Sequence, residues 1–132
     1  MIFVDTSFWV ALRNRRDSNH GQAVSVLQLY AHENLVTSNH IRGETWTYLR
    51  RRMGHRSAVD FLEAVDRSPR LRIVMVSADQ EEVALRWLRR HDEREYSFVD
   101  ATSFAVMRAF RIRNVLAFDG DFSAAGFVEL RT

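Results

Sequence analysis

The sequence contains no cysteine, and that absence removes disulfides, thiolate nucleophiles and cysteine-ligated zinc together. Lysine is missing too: all 19 strongly basic residues are arginine. One proline and five glycines in 132 residues leave no room for a proline-rich linker or a flexible glycine tract. No apolar run approaches the ~20 residues of a membrane-spanning helix. The apolar start Met1-Ile2-Phe3-Val4 meets Asp5 before a signal-peptide core could form, so a soluble, cytoplasmic protein with no membrane association is expected. There is no GxGxxG turn, phosphate-binding glycine loop or nucleophile elbow. His20, His32, His40, His55 and His91 are scattered without a pair at ligand spacing and read as surface or loop residues.

What remains is a chain able to bury a core. Hydrophobic residues make up 46%, which sets it apart from disordered sequences, and residues 1–132 read as one domain. The formal charge of +2 says little about partners. The arginine bias has two readings. Guanidinium groups grip phosphate bidentately, and a GC-rich coding sequence favours arginine codons for no chemical reason.

Periodicity predicts short apolar strands alternating with amphipathic helices. Strands are expected at Met1–Val4, Leu35–Thr37, Leu71–Val76, Asn114–Phe118 and Phe127–Leu130. Helices are expected at about Thr6–Leu12, around Ala23–Tyr30, from His40 to Met53, around Ala58–Val65, after Ser77, and from Phe98 to Phe110. Arg13–Asn19 and His91–Glu95 read as loops. The inward stripe of the third helix is Ile41, Thr45, Tyr48 and Leu49; that of the fifth is Val83, Ala84, Trp87 and Leu88. Ser77 and Gln80 form a capping box, and Ser38 or Asn39 caps the third helix. This alternation means a parallel sheet covered by helices on both faces, a three-layer α/β/α sandwich. Ligands of such sheets bind off the carboxyl ends of the strands.

Acids stand at those ends. Asp5 follows the first strand, Asp119 follows the fourth with Asp121 close behind, and Asp100 opens a helix that starts at the same edge. Carboxylates about 5 Å apart repel by roughly 3 kcal/mol per pair at an effective dielectric near 20. A trapped proton, an arginine or a cation must compensate. Mg²⁺ and Mn²⁺ suit an all-oxygen site and equip it for work on phosphate. Each acid also has a structural alternative: Asp5 as a helix cap, Asp100 as the far half of a capping box with Ser97, Asp119-Gly120 as a turn, Glu44 as a solvated helix residue. Three acids at the same kind of position favour a joint role.

Val4-Asp5-Thr6-Ser7, Ile41-Arg42-Gly43-Glu44, Phe98-Val99-Asp100-Ala101 and Phe118-Asp119-Gly120-Asp121-Phe122, in that order, resemble the PIN-domain nucleases, specifically VapC-type toxins of type II toxin–antitoxin pairs. The resemblance covers essentially the whole chain. It implies an endoribonuclease dependent on Mg²⁺ or Mn²⁺ that inhibits translation or growth. It implies an acidic pocket of Asp5, Glu44, Asp100 and Asp119, metal ligands drawn from Asp5, Asp100, Asp119 and Asp121, and a supporting hydroxyl at Ser7. It also implies a cognate antitoxin that pushes a side chain, often Arg, toward the acids, and a toxin homodimer that becomes a heterotetramer or larger with antitoxin. Ala117 stands where the family often has Thr or Ser, which keeps open a catalytically silent RNA- or protein-binding module. A receiver-type phosphotransfer domain is a further alternative, although no suitable Asp follows a middle strand. For RNA, Arg13, Arg15 and Arg16 in the loop after Asp5 and Arg42 beside Glu44 are the candidate contacts, with Arg50, Arg51 and Arg52 on the same helix as Glu44 either sharing that role or forming a solvated helix end.

Overall fold

A computed structural model describes residues 1–132. The chain runs β1 (Ile2–Val4), α1 (Thr6–Arg13), α2 (His20–Leu29), β2 (Leu35–Ser38), α3 (Asn39–Met53), α4 (His55–Arg67), β3 (Leu71–Val74), α5 (Ala78–Arg90), α6 (Phe98–Ala109), β4 (Asn114–Leu116), α7 (Asp121–Ala124) and β5 (Val128–Glu129). The strands form one all-parallel sheet in the order β3-β2-β1-β4-β5. After β1 the chain builds outward through β2 to β3. It then returns to the other side of β1 for β4 and β5. The order therefore reverses between β1 and β4, and that gap is the switch point at which open parallel sheets bind ligands.

Both faces of the sheet are buried, so β1 is apolar throughout and its alternate residues serve opposite layers. Phe3 packs with Phe104, Met107 and Phe122 beneath α5, α6 and α7. Ile2 and Val4 pack with Phe8, Ala23 and Val26 beneath α1 and α2. A smaller group of Val10, Leu49, Phe61 and Val65 joins α1, α3 and α4. The result is the expected three-layer α/β/α arrangement. No helix is long and apolar enough to cross a membrane.

Caps fix where the helices begin. Asp5, Ser38, Ser77 and Ser97 each accept a backbone N–H at the start of α1, α3, α5 and α6, and reciprocal boxes are complete at Ser77–Gln80 and Ser97–Asp100. Gly54 separates α3 from α4 at φ +99°, a conformation other residues adopt only under strain.

Several boundaries differ from expectation for a definable reason. β4 stops at Leu116, not Phe118, because the Phe118 N–H leaves the ladder to donate to Ser7 Oγ at 2.9 Å. β3 stops at Val74, not Val76, because the Val76 N–H donates to Asn39 Oδ1. The last strand is only Val128–Glu129. α7 is four residues long, too short to carry a periodic signal. Tyr48 does not face inward: it is 38% exposed, while Thr45 and Leu49 on either side of it are buried. Val83 likewise lies on the outer side of α5. Three of the histidines are less free than the sequence suggested: His91 stacks on Trp87 and lies 2.8 Å from Glu93, and the other two are tied to neighbouring segments. His20 Nδ1 lies 2.8 Å from the Ala11 carbonyl, and His40 pairs with Glu81 across α3 and α5.

Candidate active site

Asp5 follows β1 directly, and its buried carboxyl is shaped by local hydrogen bonds. Its Oδ2 accepts from the Ser7 N–H at 3.1 Å and from the Ser7 hydroxyl at 2.7 Å. Ser7 Oγ in turn accepts the Phe118 N–H. One serine thus ties the acid after β1 to the chain leaving β4, across the switch point. Asp100 is also buried, and its Oδ2 accepts the Ser97 N–H at 3.0 Å within the capping box. The capping role of both acids is borne out, and in each one carboxylate oxygen serves the helix while the second makes no hydrogen bond within the protein.

These acids surround a cavity of about 360 Å³ whose lining includes Asp5, Ser7, Glu44, Asp100 and Asp119. Burial pushes the Asp5 carboxyl up to about 8, with Asp119 adding to the effect. Burial raises Asp100 to about 6, again with help from Asp119. Asp119 itself is raised by burial and by the neighbouring Asp121. No arginine pairs with Asp5, Asp100 or Asp119. Of the compensations open to such a cluster, the protein supplies none of its own here and leaves a proton or an external cation.

The acid-bearing loop after β4 turns at Gly120, which sits in the left-handed region at φ +81°. Glu129 on β5 holds it: its carboxylate accepts the N–H groups of Gly120 and Ser123. Carboxylate oxygens of Asp100, Asp119 and Asp121 lie within 4.8 Å of one another. Asp121, however, already carries a cation. Arg94 reaches its Oδ1 through Nε at 3.0 Å and through a terminal nitrogen at 2.9 Å.

The pattern of the PIN domain matches residues 2–128. The chain belongs to the PIN-domain family. Within that family it is 61% identical, over 99% of its own length and 98% of theirs, to 23S rRNA-specific endonuclease VapC20 from two strains of Mycobacterium tuberculosis. The crystal structure of Mycobacterium tuberculosis VapC20, described as a sarcin–ricin loop cleaving toxin, superposes with a TM-score of 0.93 at 60% identity, each chain covered in full. At that similarity the chain is a PIN-domain protein of the VapC kind.

The four acids that the family resemblance singled out, Asp5, Glu44, Asp100 and Asp119, all line one cavity. They are not equivalent. Glu44 stands on the exposed side of α3, Asp5 is buried, and both lie outside the tight group of Asp100, Asp119 and Asp121. Ala117 is fully buried within the Phe3–Phe104–Phe122 core and does not line the cavity. No acid follows β2 or β3 as a receiver domain would require; Asp79 is in the first turn of α5. Among the basic candidates, Arg13, Arg15 and Arg16 line a separate surface hollow with Arg52. Arg42 lines neither that hollow nor the acid cavity.

Sequence reasoning missed four contributors. Asp17 and Asn19 of the loop after α1 line the acid cavity, and Glu129 and Arg94 organise the loop after β4. Only Asp17 carried a local signal, an acid inside a polar loop near Asp5. Glu129 and Arg94 act across 6 to 27 residues of sequence, and nothing in their neighbourhoods announces it.

The donor set fits a hard divalent cation. Every candidate ligand is a carboxylate oxygen, the inner ones lack a counter-ion, and no sulfur or imidazole is near enough to favour a softer metal.

Proposed function

We propose that this protein is the toxin of a toxin–antitoxin pair, an endoribonuclease that hydrolyses ribosomal RNA in the sarcin–ricin loop of 23S rRNA and thereby stops translation. The observation that carries this reading is the meeting of Asp5, Glu44, Asp100 and Asp119 around one cavity at the sheet's switch point. It occurs in a chain 61% identical to a 23S rRNA-specific endonuclease.

Asp5, Asp100 and Asp119 would hold Mg²⁺ or Mn²⁺, with Asp121 available when Arg94 releases it. A divalent ion there supplies charge neutralisation at the phosphate and acidity to water. The remaining work falls to the chain. Ser7 fixes the Asp5 carboxylate through two hydrogen bonds and leaves its second oxygen free. The capping box holds the Asp100 carboxylate through one hydrogen bond, from the Ser97 N–H. Glu44, across the cavity, accepts the proton of the attacking water at its carboxylate. The water oxygen then bonds to phosphorus, the bridging P–O bond breaks, and the departing oxygen takes a proton from solvent. Burial and ordered hydrogen bonds hold the acids in place before substrate arrives, which limits reorganisation during the reaction.

In the same proposal the protein acts in the cytoplasm as a homodimer. A cognate antitoxin binds it in a heterotetramer or larger assembly and directs a cationic side chain, often Arg, at the acids. The test is primer extension on 23S rRNA from ribosomes treated with purified protein, with and without EDTA. A single cut in the sarcin–ricin loop that EDTA abolishes and Mg²⁺ or Mn²⁺ restores is expected. An unbroken loop, or cleavage indifferent to EDTA, would overturn the reading.

A further inference from the structure

We propose that a second hollow beside the acid cavity is a subsite for an unpaired nucleotide of the RNA, with its base on the Tyr48 ring and its phosphates on Arg51 and Arg52. The proposal rests on the ribonuclease reading above. The hollow runs along the exposed side of α3 and has a volume of about 740 Å³, within the ~300–1,000 Å³ typical of sites that enclose a small ligand. It is continuous with the acid cavity, because Glu44 and Tyr48 line both. A strand whose phosphate lies at the acids thus meets this hollow with its next nucleotide.

The chemistry of the lining favours RNA over a protein segment. Only 2 of its 9 lining residues are hydrophobic, and the others include two arginines. Tyr48 is an aromatic ring held toward solvent by its place on the helix, and the Arg52 guanidinium sits 5.2 Å from its centroid. Neither Arg51 nor Arg52 forms an ion pair, so both charges are free for phosphate. An aromatic face beside unpaired guanidinium groups is the combination that binds single-stranded nucleic acid, with base stacking and phosphate neutralisation acting together. Arg52 also borders the hollow formed by Arg13, Arg15 and Arg16, so the positive surface continues away from the acids.

The test uses the full chain with Asp5→Asn to prevent cleavage, and sarcin–ricin hairpins carrying 2-aminopurine at each unpaired position in turn. Binding is expected to quench fluorescence at one position. Adding Tyr48→Ala is expected to remove that quench and weaken binding by about tenfold, whereas Tyr48→Phe retains both. Arg51→Ala with Arg52→Ala is expected to flatten the salt dependence of binding. Thermal unfolding and solution mass are followed in parallel. Unchanged affinity and quench in Tyr48→Ala, or failure of Phe to substitute, would overturn the subsite alone. A change in subunit mass with RNA affinity intact would also overturn it and assign Tyr48 to a protein contact. A parent protein that binds no RNA would overturn the ribonuclease reading along with it.

Discussion

The inner and outer halves of the acid site solve the same electrostatic problem differently. Asp5 and Asp100 are buried at the sheet edge and have no cation beside them, so burial lifts their carboxyls to about 8 and about 6. Asp121 lies a few ångströms away, half-buried at the start of α7, and Arg94 neutralises it. The protein thus leaves the inner half without a counter-charge, where the carboxyls hold their protons to higher pH, and supplies one in the outer half. The simplest physical reason is work: carboxylates kept without a partner bind a cation more strongly than carboxylates already paired. Rigidity follows the same division. The inner acids are fixed by capping interactions within α1 and α6, whereas the outer acid depends on side chains from distant segments.

The sharpest way to break this comparison is to remove inner charge. Asp5→Asn and Asp100→Asn are each expected to lower the rate of RNA cleavage by at least ~10³-fold with the fold intact, as read by timed primer extension and circular dichroism. Cleavage near the wild-type rate in either variant would show that the inner half is structural only.

A second large effect concerns stability without metal. The folded pKa of Asp5 lies above its ordinary value of 3.8, so the native state binds the extra proton between about 4 and about 8. Its contribution to stability is fully present below the lower value and is lost as pH rises through the upper one; Asp100 adds a similar loss up to about 6. In EDTA the melting temperature is expected to fall from pH 5 to pH 8 by about 5 °C or more, and Asp5→Asn should remove much of that slope. A flat profile in calorimetry would mean that the inner acids are better solvated than their burial implies.

The outer half offers a milder test. Arg94→Ala frees Asp121 and is expected to tighten Mn²⁺ binding by roughly threefold in titration calorimetry, because a cation is removed beside the ligands. Weaker binding would instead make Arg94 a support for the loop. The smallest effect belongs to charge that lies in water. Replacing Arg13, Arg15 and Arg16 by Ala should reduce the salt slope of RNA binding by about 2, from three contacts at ~0.7 each, and leave single-turnover cleavage of bound RNA unchanged. An unchanged slope would place the RNA elsewhere.

Much of this molecule can be read along the chain because its determinants are local. The unbroken apolar run of β1 and the capping boxes at Ser77–Gln80 and Ser97–Asp100 depend on neighbours within a few positions. A parallel α/β sandwich follows from strand and helix succeeding one another. Acids at strand ends follow from the same pattern, which is why Asp5, Asp100 and Asp119 stood out. What local pattern could not supply was direction and distance. Tyr48 fits an apolar stripe by spacing, yet the packing of α3 on α1 and α4 turns it to solvent. Ala117 stands two residues before Asp119 in sequence, yet its side chain packs in the core.

The residue order alone was enough for the alternating architecture, the helix starts and the set of candidate acids, since each arises from interactions a few residues long. The chain's return past β1 to lay down β4 was needed to bring Asp5 against Phe118 through Ser7, to hand Asp121 to Arg94, and to lock the intervening loop with Glu129. Those pairings span up to 111 positions, and burial energies summed over the whole core, not any local preference, select them.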